Sequence, residues 1–375
     1  MATFFHRMPA AFMLLAVVFL LSGSGSSLGQ EPVEGRFPTA DGLKISYTWY
    51  EGKNGTNSDT VLLVHNYTSD SSKGPWSTLA KSLQKEGYAV LSFDFRGHGK
   101  SADFKVMDRP DEFVKFTFNR YCGKALNAKT IKDLNKAQFS PSYYPYLIND
   151  LTGARRFIDG KSDAGQCNGG RIFVVAEQSI CPLVMLWITT EYARFACGPV
   201  ARNDPPEFIS AGRDICAAVF LSWSNSIAGA QALTVAQKVS ADKEFGSETV
   251  LIGDQVRQKV AMAFIYGKED KGSAAEAALW MSRFGVPVRN KADEILKYTR
   301  EIAGAEKLSG IKLLDIGEAQ KDKDEKVSVV DEKIRDFFVG MRKRDVNGTE
   351  SKKRNPNNYD PIPVPLDMWG LRLPK

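Results

Sequence analysis

Short, continuous apolar runs alternate with stretches of helical periodicity along most of the chain. Runs of this kind are typical of parallel strands that are buried on both faces. The runs that predict strands lie at residues 61–64, 90–93, 172–175, 217–221, 260–266 and 311–316. Apolar residues at helical spacing fall between and after these runs. The last such stripe is formed by Val327, Val330, Ile334, Phe337 and Met341.

A polar dipeptide, Asp41-Gly42, separates two extended stretches ahead of the first buried run. Because glycine accepts positive φ, this dipeptide predicts a hairpin between residues 36–38 and 43–50. A hairpin followed by alternating strands and helices predicts an α/β fold. We expect a mostly parallel sheet with helices on both faces.

The two ends of the chain differ from this central pattern. Residues 10–21 form an apolar run that follows His6-Arg7 and precedes a stretch of small residues. A signal-peptide core has about 7–15 apolar residues, whereas a membrane span needs about 20. We therefore expect residues 1–30 to be a cleaved signal peptide and the mature chain to be exported, periplasmic or extracellular. An uncleaved membrane anchor is the alternative.

The remainder divides into one domain and a tail. Residues 344–375 are polar and then rich in proline, which is typical of a poorly ordered or surface-draped segment. Residues 31–343 then form a single α/β domain. Within it, residues from about 102 to 144 are rich in charges and aromatics without a clear period, and we interpret them as an insertion.

Charge and cysteine content exclude some partners. The net charge of +6 is spread along the chain, so we expect no nucleic-acid partner. Three histidines and no Cys-x-x-Cys motif give no basis for a metal site, and no cofactor is expected.

An odd number of cysteines leaves disulfide pairing open, and a Cys122–Cys167 bridge between loops is one pairing. Cysteines occur at Cys122, Cys167, Cys181, Cys197 and Cys216.

The most specific motif follows the second buried run and reads Phe93-Asp94-Phe95-Arg96-Gly97-His98-Gly99-Lys100-Ser101. It resembles the Asp-x-Arg-Gly-His-Gly-x-Ser segment of the lipase, esterase and serine-aminopeptidase branch of the α/β-hydrolase superfamily. Residues 61–65 and the polar loop after them resemble that family's strand and oxyanion loop, here His65, Asn66 and Tyr67. The resemblance is strong over residues 36–101 and topological from there to about residue 343. It implies an α/β-hydrolase-type fold.

The same resemblance locates the expected nucleophile. In the family, a Gly-x-Ser-x-Gly turn between strand and helix presents a serine. The equivalent stretch here is Ala176-Glu177-Gln178-Ser179-Ile180, which places Gln178 at the nucleophile position. A carboxamide has no ionisable oxygen or sulfur that could attack a carbonyl carbon. Two alternatives stay open: a register one residue later, with Ser179 at the apex, and a carboxylate nucleophile at Glu177.

The family's base and acid positions can be compared in the same way. The base is a histidine after the last strand, but no histidine occurs after His98, and Gln320 stands near that position. Asp270 matches the family's acid position. A serine without its base is a poor nucleophile at neutral pH. The resemblance gives His65 a role in shaping the oxyanion loop and His98 a structural role.

These departures predict a catalytically degenerate α/β-hydrolase-fold protein. It would act as a binding or structural component for a small molecule or protein that the sequence does not identify. The alternative is an active hydrolase of ester or peptide bonds with an unconventional site, which would use Ser179 or Glu177 with Asp270 and His65. The identity of the residue at the turn and the groups around it distinguish these two hypotheses.

Overall fold

The computed structural model describes residues 31–102, 110–116, 119, 122, 139–194, 210–224, 243–245, 248–250, 252–284, 297–302, 307–315, 317–319 and 326–343. The expected signal peptide, the C-terminal tail and most of the expected insertion lie outside these ranges. So do Cys197 and Gln320, and the expectations about all of them stay predictions.

An eight-stranded sheet forms the centre of the domain. The described strands, in this sheet and outside it, are β1 (Val33–Pro38), β2 (Lys44–Tyr50), β3 (Asp59–Val64), β4 (Ala89–Phe93), β5 (Asn168–Glu177), β6 (Ile215–Leu221), β7 (Lys243–Phe245), β8 (Glu248–Val250), β9 (Ala261–Gly267), β10 (Lys297–Ile302), β11 (Gly317–Ala319) and β12 (Lys326–Ser328). The sheet has the order β1-β2-β4-β3-β5-β6-β9-β10. Pairings from β4 to β10 are parallel, and β2 pairs antiparallel with β1 and β4. The pairs β7-β8 and β11-β12 form separate hairpins.

Helices cover both faces of this sheet. They are α1 (Trp76–Lys85), α2 (Pro110–Lys115), α3 (Ile148–Asp163), α4 (Cys181–Ala193), α5 (Ile252–Lys259), α6 (Lys271–Phe284) and α7 (Val329–Lys343). Side chains of α1 and α7 join the apolar cluster on one face, and those of α3, α4, α5 and α6 join the cluster on the other. No helix within the described residues combines the length and the apolar character that a bilayer crossing requires.

The fold class expected from the sequence is therefore confirmed: a mostly parallel sheet with a leading hairpin and helices on both faces. The central strands are those with continuous apolar runs, and every residue of β3, β4 and β6 is buried. This agrees with the rule that a strand covered on both faces needs no polar side.

The expected strand at 311–316 is wrong. Gly310–Asp315 forms a 3-10 helix instead, and its Ile311, Leu313 and Leu314 pack into the same apolar cluster as α1 and α7. The last parallel strand is β10, which lies at the edge of the sheet and has the polar sequence Lys-Tyr-Thr-Arg-Glu-Ile. An edge strand pairs on one side only, so it need not have the continuous apolar run of a central strand.

The Cys122–Cys167 bridge is also wrong, because both residues are free, buried thiols. Cys167 Sγ lies 3.7 Å from the carbonyl oxygen of Ile158. Burial raises the pKa of the Cys122 thiol to about 12 and that of Cys167 to about 11. Both sulfurs therefore stay protonated at neutral pH and fill space in the core.

The parallel register brings the carboxyl ends of the strands side by side. Val64 of β3 is level with both Phe93 of β4 and Ala176 of β5, and Leu221 of β6 is level with Glu177. The loops after β3, β5, β6, β9 and β10 therefore meet at one edge of the sheet. This is the edge at which open α/β sheets usually form their binding sites.

Candidate functional site

A tight turn joins β5 to α4 at this edge. β5 ends at Glu177, a 3-10 turn spans Gln178–Ile180, and α4 begins at Cys181. Gln178 has a φ of 48°, a conformation that costs a non-glycine residue about 1–3 kcal/mol. Pro182 follows in the first turn of α4, where a missing N–H costs nothing. The structure thus places Gln178, rather than Ser179, at the strained apex.

The Gln178 carboxamide is already hydrogen-bonded on both sides. Its Oε1 accepts from Asn66 Nδ2 at 2.5 Å, and its Nε2 donates to Ser309 Oγ at 3.0 Å. The Gln178 backbone carbonyl accepts from the N–H of Ser224 at 3.3 Å. The apex residue therefore ties together the loops that follow β3, β6 and β10.

Ser179 lies beside the apex and is oriented by the same asparagine. Its Oγ donates to Asn66 Oδ1 at 2.5 Å. An amide oxygen orients a hydroxyl but does not accept its proton at neutral pH, so this contact does not activate Ser179 as a nucleophile.

Glu177 lies behind the turn, where it is buried. Its Oε1 accepts from the N–H of Asn66 at 2.9 Å, and its Oε2 accepts from the N–H of Ile311 at 2.7 Å. Burial raises the pKa of this carboxyl, and hydrogen bonding to it offsets the effect only in part. A Cβ at Gly310 would lie 2.7 Å from Glu177 Oε2, so the carboxylate and the glycine fit closely. The carboxylate joins the oxyanion loop to the 3-10 helix.

Both described histidines are held by backbone groups. His65 Nε2 accepts from the N–H of Phe95 at 3.1 Å, so its Nδ1 carries the proton and donates to the Asn66 carbonyl at 2.8 Å. The nitrogens of His98 lie 2.8 Å from the carbonyl of Arg96 and 2.7 Å from that of Tyr67. Each ring is only 1% exposed. In this arrangement His65 cannot accept a proton from Ser179.

Asp270 lies in the loop after β9, as expected, but its carboxylate is engaged at the start of α6. Oδ1 accepts from the N–H of Ser273 at 3.0 Å, and Oδ2 accepts from Ser273 Oγ at 2.7 Å. This is the geometry of a helix N-cap. The side chain therefore has a structural task that does not depend on any histidine partner.

These loops enclose a pocket of about 520 Å³ above the turn. Many of its lining residues have hydroxyl or amide side chains, and Asp270 is the charged residue among the described side chains that line it. The lining residues are Asn66, Tyr67, Thr68, Gln178, Ser179, Ser222, Ser224, Asp270, Ser273 and Ser309. Within the described ranges, no three His, Cys, Asp or Glu residues are grouped so as to hold a metal ion. The pocket is suited to hydrogen bonding.

Sequence reasoning missed Ser222, Ser224, Ser273 and Ser309 as pocket residues. One signal was available: Ser222-Trp223-Ser224 comes directly after the buried run of β6. Polar residues at the carboxyl end of a buried parallel strand are candidates for a binding site. Ser309 carried no such signal, because the strand that precedes it was not recognised.

Comparison with known proteins gives structural similarity only. No protein-family model matches the chain, and no curated protein sequence matches it. The structure is similar to the esterase Pf2001 of Pyrococcus furiosus, with 16% identity, a TM-score of 0.44, and coverage of 82% of this chain and 90% of the esterase. It is also similar to a dienelactone hydrolase from Anabaena variabilis, with 12% identity, a TM-score of 0.44, and coverage of 83% and 98%. The same holds for Est1E from Butyrivibrio proteoclasticus, with 12% identity, a TM-score of 0.42, and coverage of 84% and 100%.

The protein has an α/β-hydrolase-type fold. The strand order, the leading hairpin and the strained strand-to-helix turn define this class in the chain itself. A fold of this class hosts many activities, so the function has to be argued from the pocket.

Proposed function

We propose that this chain is an exported α/β-hydrolase-fold protein that does not form an acyl-enzyme and binds a small ligand in the pocket above Gln178. The observation that carries the proposal is the residue at the strained apex. A neutral carboxamide occupies it, and both ends of that carboxamide are hydrogen-bonded, to Asn66 and to Ser309. Nothing at this position can attack an ester carbonyl.

The loop after β3 gives a supporting observation. In active α/β hydrolases, one N–H from this loop and one from the residue after the nucleophile stabilise the tetrahedral oxyanion. Here one N–H of the loop, that of Asn66, donates to the buried carboxylate of Glu177. This N–H is therefore not free to bind a substrate oxygen.

The contacts of Ser179 and Glu177 argue against the alternative of an unconventional hydrolase. The hydroxyl of Ser179 is directed at an amide oxygen, and both oxygens of Glu177 accept backbone N–H groups. Lack of a base alone lowers the rate by roughly 10²–10⁴-fold. We therefore expect no turnover through either residue.

The test combines a fluorophosphonate probe with p-nitrophenyl acetate hydrolysis by the purified mature chain, Ser179→Ala and Glu177→Gln. An active esterase run in parallel serves as the positive control. We expect neither labelling nor turnover above buffer in any of the three proteins. Wild-type turnover abolished by Ser179→Ala would contradict the proposal and identify Ser179 as the nucleophile. Turnover lost only in Glu177→Gln would identify a carboxylate nucleophile.

Export is the part of the proposal that rests on the first thirty residues. N-terminal sequencing of the protein recovered outside the cytoplasm should find a start near Gln30. Recovery of Met1 in a membrane fraction would support the anchor instead.

A further inference from the structure

A second cavity, a groove between the edge strand β1 and the helix α3, is lined by other residues than the pocket above Gln178. Its volume is about 440 Å³, and sites for small molecules measure roughly 300–1,000 Å³. Residues 36–38 of β1 form one wall. Residues between 153 and 164, in α3 and at its C-cap, form most of the other.

The charged groups of this groove are all of one sign. Arg36 of β1 and Arg156 and Lys161 of α3 line it, and none of its described lining residues is an aspartate or a glutamate. Cations that converge on a cleft attract an anion to it. Arginine in particular presents paired N–H donors whose spacing matches the two oxygens of a carboxylate.

Most of the accessible wall between these cations is apolar. The partly buried ring of Phe157 lies at its centre, with the Phe37 ring 5.9 Å away and the exposed Pro38 beside it. Lys161 Nζ lies 5.4 Å from the centre of the Phe157 ring, so the cation borders the apolar surface directly. A small inorganic anion would leave this surface in water. An anion that carries an apolar body would cover it.

Two glycines of α3 line the groove, and only one of them is explained by packing. A Cβ at Gly153 would lie 3.0 Å from Phe37 Cε2, so this glycine lets β1 approach the helix closely. A Cβ at Gly160 would meet no described heavy atom within 4 Å. Glycine within a helix is less stable than alanine. The glycine at 160 therefore has a cost that packing does not explain, and it leaves the groove open at that point.

We propose that this groove binds an amphipathic carboxylic acid, with the carboxylate at Arg36, Arg156 and Lys161 and the apolar body over Phe157 and Gly160. The ligand would be a free acid with an acyl chain or an aromatic ring. This second site does not depend on what the pocket above Gln178 binds.

The experiment titrates the mature chain with octanoate and 2-naphthoate by calorimetry and saturation-transfer NMR. The variants are Arg36→Gln, Lys161→Gln and Gly160→Leu. Their matched controls are Lys81→Gln and Ser77→Leu, at exposed positions of α1, which packs on the other face of the sheet. We expect saturable binding of at least one acid by the unmodified chain.

The Kd of that acid should rise in all three groove variants and in neither control. Loss of one partly exposed cation should raise it about three- to tenfold. Gly160→Leu should raise it about tenfold or more, because the new side chain would occupy the groove. Since a Cβ at Gly160 meets no neighbour, this variant should also keep its Tm, and Gly160→Ala should raise Tm by a few degrees. A lower Tm in Gly160→Ala would contradict the argument that the groove is open there.

Matched probes test the two parts of the ligand separately. Binding of 1-octanol or octyltrimethylammonium as tight as that of octanoate would overturn the anionic head, and equally tight binding of acetate would overturn the apolar body. Absence of saturable binding by both acids overturns the inference. So does binding that none of the three groove variants changes, because the acid would then lie elsewhere. Labelling by the fluorophosphonate probe bears on the proposed function alone.

Discussion

Two buried polar regions in the described part of the chain differ in how completely their groups are hydrogen-bonded. The first, the Arg96 cluster, consists of Arg96, Asp41, Asp150, Tyr143 and Asn119. Arg96 donates to Asp41 at 2.7 Å, to Asp150 at 2.7 Å and to Tyr143 at 2.8 Å. The Tyr143 hydroxyl donates to Asn119 Oδ1, and Asn119 Nδ2 donates to Asp41 Oδ2.

The pocket around Gln178 is the second region, and it is strained and incompletely paired. Its two positive-φ residues are Gln178 and Ser222, and Ser222 Oγ has no partner among the described residues. The Arg96 cluster contributes a satisfied network to the fold. The pocket contains two strained backbone positions and one buried hydroxyl without a partner, which are features that folding alone does not favour.

The residues of the hydrolase-like motif have a structural task of their own. Arg96 joins Asp41 in the hairpin turn to Asp150 in the first turn of α3, and Asp94 accepts from the N–H groups of Ser71 and Lys100. Ser101 Oγ accepts from the N–H of Ser46 in β2. The motif therefore holds loops in place, and its presence is evidence of fold and not of catalysis.

Loss of Arg96 should have the largest effect on stability. In Arg96→Met, Asp41 and Asp150 would lose their shared cation while remaining buried. Breaking a buried pair from one side costs about 3–5 kcal/mol. Urea denaturation of the mature chain would measure the change.

The matched control is Lys100→Met, which removes an ion pair to Glu34 whose side chains are each 63% exposed. Exposed pairs contribute at most about 1 kcal/mol. A loss in Arg96→Met no larger than that in Lys100→Met would show that the cluster is not a structural support.

Glu177 is predicted to make stability depend on pH. Its folded pKa is raised by burial, so the carboxyl is neutral in both the folded and the unfolded chain below its usual pKa of 4.5. As pH rises from there to the folded pKa, the unfolded chain ionises while the folded one stays neutral. Stability then falls by about 1.4 kcal/mol for each pH unit between the two pKa values. Glu177→Gln removes this dependence, although it also weakens one of the two backbone contacts.

The measurement is the difference in unfolding free energy between Glu177→Gln and wild type from pH 4 to pH 8. The difference should move in favour of the variant as pH rises, with any constant offset reflecting the altered contacts. A difference that is flat with pH would mean that the carboxyl titrates at its unperturbed value.

The sequence was sufficient for the features that rest on local chemistry or continuous apolar runs. The buried strands were predictable because a strand covered on both faces leaves an apolar run. The turn at Gln178 was predictable because a strand and a proline-marked helix start bracket it. The 3-10 helix Gly310–Asp315 and the strand β10 were not predictable. The apolar run of the 3-10 helix has the sequence pattern of a buried strand, and the polar sequence of the edge strand has the pattern of a loop.

The pocket could not be predicted from the sequence, and the reason is a different one. It is assembled from loops that only the sheet register brings together, so Asn66, Gln178, Ser222 and Ser309 come from four separate segments. The positive φ of Ser222 and its unpartnered Oγ are properties of the folded backbone. A serine in the sequence predicts neither a positive φ nor an unpartnered hydroxyl.

Asp270 provides a smaller effect that separates a helix cap from a catalytic acid. Asp270→Ala removes the contacts to Ser273, and loss of an N-cap costs about 1 kcal/mol, within a range of roughly 0.5–2. Thermal denaturation should show this loss, and the neighbouring exposed Glu269→Ala should show almost none. Unchanged stability in Asp270→Ala would argue that the carboxylate is retained for a task in the pocket.

Gln178→Ser should have the smallest effect of all on activity, and for that reason it tests the comparison most directly. The substitution places a hydroxyl at the strained apex, where an active relative would have its nucleophile. It does not supply a base: His65 is locked between Phe95 and Asn66, and no histidine follows His98 in the sequence. The N–H of Asn66 also remains bound to Glu177. We therefore expect no fluorophosphonate labelling and no p-nitrophenyl acetate turnover, with circular dichroism as the check that the variant is folded. Turnover in this variant would show that base and oxyanion donors are still available, and that the identity of residue 178 alone separates this protein from a hydrolase.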